Sequence, residues 1–249
     1  MMKNRLEYKY IVPVTSMDRL RTDLLRYLNP DSFAALRPGY EYTVRSVYLD
    51  SSDYKCFYEK LDGLHERKKF RIRGYNTCTE RSQIFFEIKQ KHDNFISKSR
   101  AKTSFSHLSD VLAGCDASPL FDARDMTDYG KFFFNYHRLR LEPKALIVYD
   151  REAYECKFGS QLRITFDKYM RSKAVSDASQ MYEENGLRQI YVREFVLEVK
   201  FFQVLPQWIK TVLEKYDLTR LAASKYASSI DAQQPASVRF NRYTRPICN

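Results

Sequence analysis

The chain has 249 residues, enough to bury the core of one large domain or two small ones, and its 7 Gly and 8 Pro against 15% aromatics exclude collagen-like and low-complexity chains. Its 42 Lys and Arg exceed 31 Asp and Glu, leaving a formal charge of +11 that is spread along the sequence rather than confined to one arm. That excess points to a polyanionic partner and leaves nucleic acid, anionic lipid and phosphate-rich metabolites open.

In chain order, alternation predicts a first strand over 5–12, with Arg5, Glu7 and Lys9 on one face and Leu6, Tyr8 and Tyr10 on the other. A helix follows over 16–28, capped by Thr15 or Ser16 and periodic at Leu20, Leu24, Leu25 and Leu28. Further strands are expected over 43–49, 68–75, 84–91, 145–154, 161–169 and 190–202, and further helices over 53–61, 108–113, 129–139 and 206–216. Residues 172–186 read as a long polar loop. No repeat and no Pro/Gly/Ser-rich linker divides the chain, so a single domain over 1–230 is expected, with 231–249 as a polar tail.

Five scattered cysteines contain no C-x-x-C pair and suit reduced thiols in a cytosol. No run of about 18 apolar residues is present to cross a bilayer, and the first ten residues carry four charges, Lys3, Arg5, Glu7 and Lys9. The expectation is a cytoplasmic protein with no signal peptide and no direct membrane insertion.

The informative feature is which residues share a strand face. Lys69, Arg71 and Arg73 alternate with Phe70 and Ile72; Glu87, Lys89 and Lys91 with Phe86 and Ile88; Glu198 and Lys200 with Leu197 and Val199. Two architectures fit such stripes: an open antiparallel sheet with its charged face in water, or a sheet whose apolar face is covered by helices while the charged face lines a closed barrel. The Arg/Lys excess and the repeated E-x-K favour the second. Such a lining repels itself unless a polyanion, water and a metal ion fill it.

Eight short motifs run in order from Arg5 to Tyr226: R-L-E-Y-K-Y from Arg5, V-Y-L-D from Val47, R-I-R-G-Y from Arg71, F-E-I-K from Phe86, Y-D-R from Tyr149, L-R-I-T-F-D from Leu162, L-E-V-K from Leu197 and S-K-Y from Ser224. Together they resemble the VTC domain, the polyphosphate polymerase branch of the triphosphate tunnel metalloenzymes. The resemblance implies an α+β fold: a closed antiparallel eight-stranded β-barrel with helices packed outside, whose basic tunnel binds ATP and inorganic polyphosphate with Mn²⁺ or Mg²⁺ at its wall. Carried over by motif, the catalytic cations are Lys9, Arg71, Arg73, Lys89, Arg151, Arg163, Lys200 and Lys225, with Lys60, Lys69, Lys91 and Lys98 binding substrate and Glu198 and Glu7 holding metal. Eukaryotic relatives sit in membrane-bound complexes, so any membrane coupling here implies a membrane protein partner.

The chemistry of these residue types agrees with that implication. An arginine fork bonds two phosphate oxygens at once and lysines add mobile point charges. Phosphoryl transfer is mostly positioning and charge neutralisation. Related tunnel phosphatases and cyclases open with E-x-E-x-K, whereas Arg5 stands here in place of the first glutamate, one carboxylate fewer and one cation more. That departure favours gripping a long polyanion over two-metal hydrolysis, and leaves a triphosphatase or a non-catalytic polyphosphate-binding module as alternatives. Nucleic-acid binding is disfavoured because alternation puts the interleaved aromatics on the opposite face.

Single residues carry competing readings. His65, His92, His107 and His137 lack metal-ligand spacing. Asp50 reads as an orienter of the site or as a strand-end cap, Glu7 as metal ligand or ion-pair partner, Glu87 as a carboxylate spacing the cations, and Trp208 as core packing.

Overall fold

The computed structural model describes residues 5–92, 95–114 and 118–233. In chain order its elements are β1 (Arg5–Pro13), α1 (Met17–Leu25), β2 (Leu28–Pro30), β3 (Glu41–Asp50), α2 (Lys55–Leu61), β4 (Glu66–Tyr75), β5 (Gln83–His92) and β6 (Phe95–Ser104). Then come α3 (Leu108–Leu112), α4 (Met126–Arg138), β7 (Glu142–Cys156), β8 (Arg163–Ala174), β9 (Arg188–Gln189), β10 (Glu194–Phe202), α5 (Gln207–Lys215) and α6 (Lys225–Gln233). The fold is α+β with antiparallel pairing in β1–β10, β10–β8, β2–β7, β3–β4, β4–β5 and β5–β6.

Contacts divide the chain into two compact units, the first built from residues 1–42, 149–171 and 189–249 and the second from 43–148 and 172–188. In unit 1 the strand order is β1-β10-β8-β7, with β2 added on β7; in unit 2 it is β7-β3-β4-β5-β6. β7 contributes its first half to unit 2 and its second half to unit 1.

Each unit covers the apolar face of its sheet with helices. In unit 2, Phe70 and Ile72 of β4 and Phe86 of β5 are fully buried against Phe132 and Phe133 of α4, with Phe86 meeting the Phe132 ring edge-on at 5.2 Å. In unit 1, Leu20 and Leu24 of α1, one turn apart, and Ile209 and Leu213 of α5 pack on Leu197, Val199, Ile164 and Phe166. Burying each such side chain contributes about 1.5–3 kcal/mol, so it is the apolar alternation of the strands that fixes which face carries charge. Trp208 stacks on Tyr27 at 4.4 Å against this core, a packing role.

Several sequence expectations change. The expected closed barrel is not formed among the described residues: the hydrogen-bonded path ends at β1 and at β6. Both outer edges are occupied by something other than a strand. The Arg100 and Lys102 amides of β6 donate to the carboxylates of Asp128 and Asp125 at 2.8 and 3.0 Å, and the Lys9 carbonyl of β1 accepts from the Leu221 amide at 2.9 Å. β6 and α6 are additional elements, and α1 begins at Met17 with no side-chain cap from Ser16. The expected loop over 172–186 is partly regular, since β8 runs to Ala174 and a 3-10 turn, Ala178–Tyr182, is closed by an Asp177–Gln180 capping box. Asp231–Gln233 belong to α6, and the rest of the expected tail, 234–249, lies outside the described residues.

Candidate functional site

Unit 2 presents a charged face across β3 to β6. Arg71 lies opposite Tyr48 on one side and Glu87 on the other, Lys69 opposite Lys89, Arg73 opposite Ser46, and then Glu87 opposite Arg100 and Lys89 opposite Lys98. Glu87, only 1% exposed, is the hub. Its Oε2 accepts from Arg71 Nε at 2.7 Å and lies 3.8 Å from Arg73 Nε, while its Oε1 lies 2.6 Å from Lys98 Nζ and 3.2 Å from Arg100 Nε. Burial pushes the Glu87 carboxyl up, but Arg71, Arg73 and Lys98 outweigh it and hold the group below the usual carboxylate range. Glu87 thus spaces the cations, and four of them share one carboxylate.

Aromatic rings stand among these cations. The interleaved Phe70 and Phe86 do turn to the helix-covered face as expected, whereas Tyr48 and Phe85, which that expectation did not cover, stand on the charged one, with the Arg100 guanidinium over Phe85 at 3.5 Å and Arg71 5.8 Å from the Tyr48 ring. Both rings already carry a guanidinium.

Unit 1 presents a second charged face across β1, β10, β8 and β7, with Glu7 opposite Lys200, Lys9 opposite Glu198, Glu198 opposite Thr165 and Lys200 opposite Arg163. Lys9 Nζ lies 2.9 Å from Glu7 Oε1, and Lys200 pairs with Glu198 while standing 4.0 Å from Glu7. Asp167, completely buried, receives the fork of Arg151 at 2.6 and 2.8 Å and the Lys225 ammonium at 2.6 Å. Lys225 also lies 3.7 Å from Glu198 and 5.0 Å from the Tyr149 ring, and Arg163 Nη2 donates to Asp31 at 2.6 Å. Burial opposes charge on Glu198, yet Lys200, Lys9, Lys225 and Arg151 hold its carboxyl well below the ordinary value. Asp167 is likewise lowered, against burial, by Arg151 and Lys225.

These contacts gather Glu7, Lys9, Arg151, Glu198, Lys200 and Lys225 on one face of unit 1, with Arg163 beside them, and gather Arg71, Arg73 and Lys98 around Glu87 in unit 2. Lys69, Lys89 and Lys91 are strand residues on β4 and β5, whereas Lys60 is a helix residue of α2. Asp50 is a cap: its carboxylate accepts from the Cys56 and Phe57 amides at the start of α2. Sequence reasoning passed over Asp167 as a site residue, and over Arg100 and Lys102. The Lys98, Arg100, Lys102 alternation repeats that of Lys69, Arg71, Arg73 and was the available signal.

The fit of a divalent metal can be judged on the carboxylates. Glu198 and Glu7 both approach the Lys200 ammonium, so two hard oxygen donors are directed at one cation-sized position. Beside them Thr165 Oγ1 and Arg163 Nε are buried with no hydrogen-bond partner among the described residues; the hydroxyl oxygen is a possible further donor to a metal, whereas the guanidinium N–H can serve only an anion. Two carboxylate oxygens suit a hard divalent cation, and since no three His, Cys, Asp or Glu side chains form a cage among the described residues, Glu198 and Glu7 would supply only part of its coordination shell.

Among solved structures, a putative adenylate cyclase from Bacillus halodurans matches with a TM-score of 0.50 and 14% identity, covering 89% of this chain and 94% of its own. A putative adenylyl cyclase from Hippeastrum, described as having a dominant triphosphatase activity, gives 0.46 and 11% over 95% of this chain and 100% of its own. A putative adenylate cyclase from Vibrio parahaemolyticus gives 0.47 and 9% over 92% and 98%. At such identities the Bacillus halodurans likeness speaks to fold alone. No curated protein matches the chain. The family profile for the VTC domain matches residues 4–233, a span that takes in both charged faces and every motif from Arg5 to Tyr226, and the chain belongs to the VTC domain family.

Proposed function

We propose that this protein is a metal-dependent polyphosphate polymerase that transfers the γ-phosphate of ATP onto a growing inorganic polyphosphate chain, with residues 1–230 as its working domain. The observation that carries the reading is the cation surplus at Glu87, where Arg71, Arg73, Lys98 and Arg100 share one buried carboxylate. One carboxylate aims and spaces the four groups while leaving most of their charge for phosphate oxygens.

In this reading the forks of Arg71 and Arg73 in unit 2 grip phosphoryl oxygens, with Lys69, Lys89, Lys91 and Lys98 as point charges on the same unit, and the face of unit 1, with Lys9, Lys200 and Lys225, offers phosphate the same chemistry. The attacking atom is a terminal phosphate oxygen of the polymer, ionised at neutral pH, so no side chain has to remove a proton. Its bond to the γ-phosphorus forms as the bond to the bridging oxygen breaks, and ADP leaves with that electron pair. Arg151 keeps its fork in place through buried Asp167, and Arg163 through Asp31. A divalent ion held by Glu198 and Glu7 would neutralise phosphate charge as a Lewis acid. Nucleic acid is not the polyanion of choice here, because the rings on the unit 2 face are covered by arginines.

The experiment is incubation of purified protein with ATP and Mn²⁺ or Mg²⁺. Long-chain polyphosphate with stoichiometric ADP is the expected result; orthophosphate would replace the reading by triphosphate hydrolysis, and no turnover would replace it by a binding module. Glu198→Gln should abolish metal-dependent turnover while polyphosphate binding stays or tightens, since an anion is removed beside the phosphates along with a metal ligand. Retained turnover would take Glu198 out of the site.

A further inference from the structure

Unit 1 ends on one side in two neighbouring turns, because β8 and β10 are paired and Lys200 of β10 lies opposite Arg163, the first residue of β8. One turn, residues 157–161, leads into β8 from β7; the other, 203–206, leads from β10 to α5. Each leaves a large apolar side chain in water, Phe158 at 71% exposure and Val204 at 72%, and among the described residues only Leu36 is a more exposed large apolar residue. The end of α1 adjoins the first turn: the Lys157 amide donates to the Tyr27 carbonyl at 2.9 Å and its ammonium to the Leu25 carbonyl at 2.7 Å. Tyr27 stacks on Trp208 of α5, so exposed Leu25 and the half-buried Tyr27 and Trp208 rings belong to the same end of the unit. Single exposed apolar residues are ordinary, but several gathered on one end mark a contact surface.

The charge of this end has one sign. Residues 24–28, 156–162 and 201–210 hold Arg26, Lys157 and Lys210 and no Asp or Glu. Between the two turns lies a crevice of about 310 Å³ whose lining, Ser160, Gln161, Phe202 and Gln203 among it, contains no charged residue. A second copy of the chain would bring the same cations against these, so charge complementarity selects an anionic partner. Trp208 and Tyr27 are the amphipathic ring types favoured where hydrocarbon meets headgroups, which selects a lipid surface over an acidic protein.

We propose that this end of unit 1 docks on an anionic lipid bilayer, with Phe158 and Val204 entering the interfacial layer and Arg26, Lys157 and Lys210 attracted to lipid phosphates. Two side chains on turns reach that layer without spanning it. Buried apolar area and attraction to anionic headgroups add in such docking, so both halves of the pattern are needed. The surface stands whether or not the protein polymerises phosphate, because its test reads binding to vesicles rather than turnover.

The test is co-sedimentation of the full chain with vesicles of phosphatidylcholine alone and of phosphatidylcholine mixed with phosphatidylserine. Binding to the mixed vesicles and not to the neutral ones is expected. Phe158→Ser should weaken it about tenfold, and Arg26→Gln and Lys210→Gln about fivefold each. Trp208, the single tryptophan of the chain, reports which face makes contact: lipids with brominated acyl chains should quench its fluorescence in the bound protein. No binding to the anionic vesicles overturns the proposal. Binding that Phe158→Ser leaves unchanged, or that leaves Trp208 unquenched, also overturns it, since the protein would then adhere through its charged strand faces. Phe158-dependent binding to a soluble acidic peptide, with vesicles ignored, overturns it in favour of a protein partner. Because Phe158 is exposed, Phe158→Ser should melt no lower than the wild type. A lower melting temperature would mark a structural role for the ring and equally overturn the proposal.

Discussion

Glu87 shows how much one side chain can decide. It is buried beneath Arg71, Arg73, Lys98 and Arg100, and neutralising it leaves four cations facing one another. Glu87→Gln should therefore cost about 3–5 kcal/mol of stability, the usual cost of breaking a buried ion pair on one side, measured by urea unfolding at neutral pH. Its carboxyl titrates below the ordinary 4.5, so its contribution is complete above that value and is lost as pH falls beneath it. Wild-type stability should then drop more steeply than that of Glu87→Gln between about pH 5 and pH 3. Tripolyphosphate should raise the melting temperature of the variant more than that of the wild type, because phosphate oxygens replace the missing carboxylate. Equal shifts would mean that phosphate does not meet these cations. Residues such as Arg71 and Lys200 are legible in the sequence because alternation alone assigns their face. Asp167 is not, since its role depends on Arg151, sixteen positions away on another strand, and on Lys225 at the start of α6.

At the scale of elements, β6 was missed for a physical reason. Its buried side carries small residues, Ala101 and Thr103, with Leu120 accepting from the Thr103 hydroxyl, so no run of large apolar residues announces a strand. Its register is instead written in the neighbouring helical segment, where Asp125 and Asp128 take up its outer amides. β4 shows a different constraint at Gly74. A Cβ there would stand 2.5 Å from Tyr182 Oη and 2.8 Å from Met181 Sδ, inside the 3-10 turn that covers the strand. Gly74→Ala should cost about 1–3 kcal/mol by overpacking, read from the urea midpoint at unchanged slope. A neutral Gly74→Ala would show that the turn yields freely.

For the molecule as a whole, the charge of +11 and the two lysine- and arginine-rich faces would make the proposed polyanion binding salt-dependent. Polyphosphate affinity should fall linearly on logarithmic axes with salt, and neutralising one gripping cation should lower the slope by about one unit. Arg71→Lys or Arg73→Lys should leave that slope unchanged while cutting ATP turnover roughly 30- to 1000-fold, because the charge stays and the fork is lost. Wild-type turnover in both would separate the arginines from the chemistry. The α+β class, the helix-covered apolar faces and the order of most strands were legible because burial enforces period two along each strand. Closure was not, because whether the first and last strands meet depends on what occupies their outer edges, here Leu221, Asp125 and Asp128.

The ladder between β1 and β10 joins Arg5 to Phe202. On a ribosome adding about 5–20 residues per second, β1 is exposed for roughly 10–40 s before its partner exists. β4, β5 and β6, consecutive hairpins, need no such wait. A nascent β1 is therefore an unpaired strand in a crowded cell, and its alternating Arg5, Glu7 and Lys9 discourage it from annealing to another chain. Any nascent chain that stops before residue 194 lacks the whole of the strand on which β1 pairs.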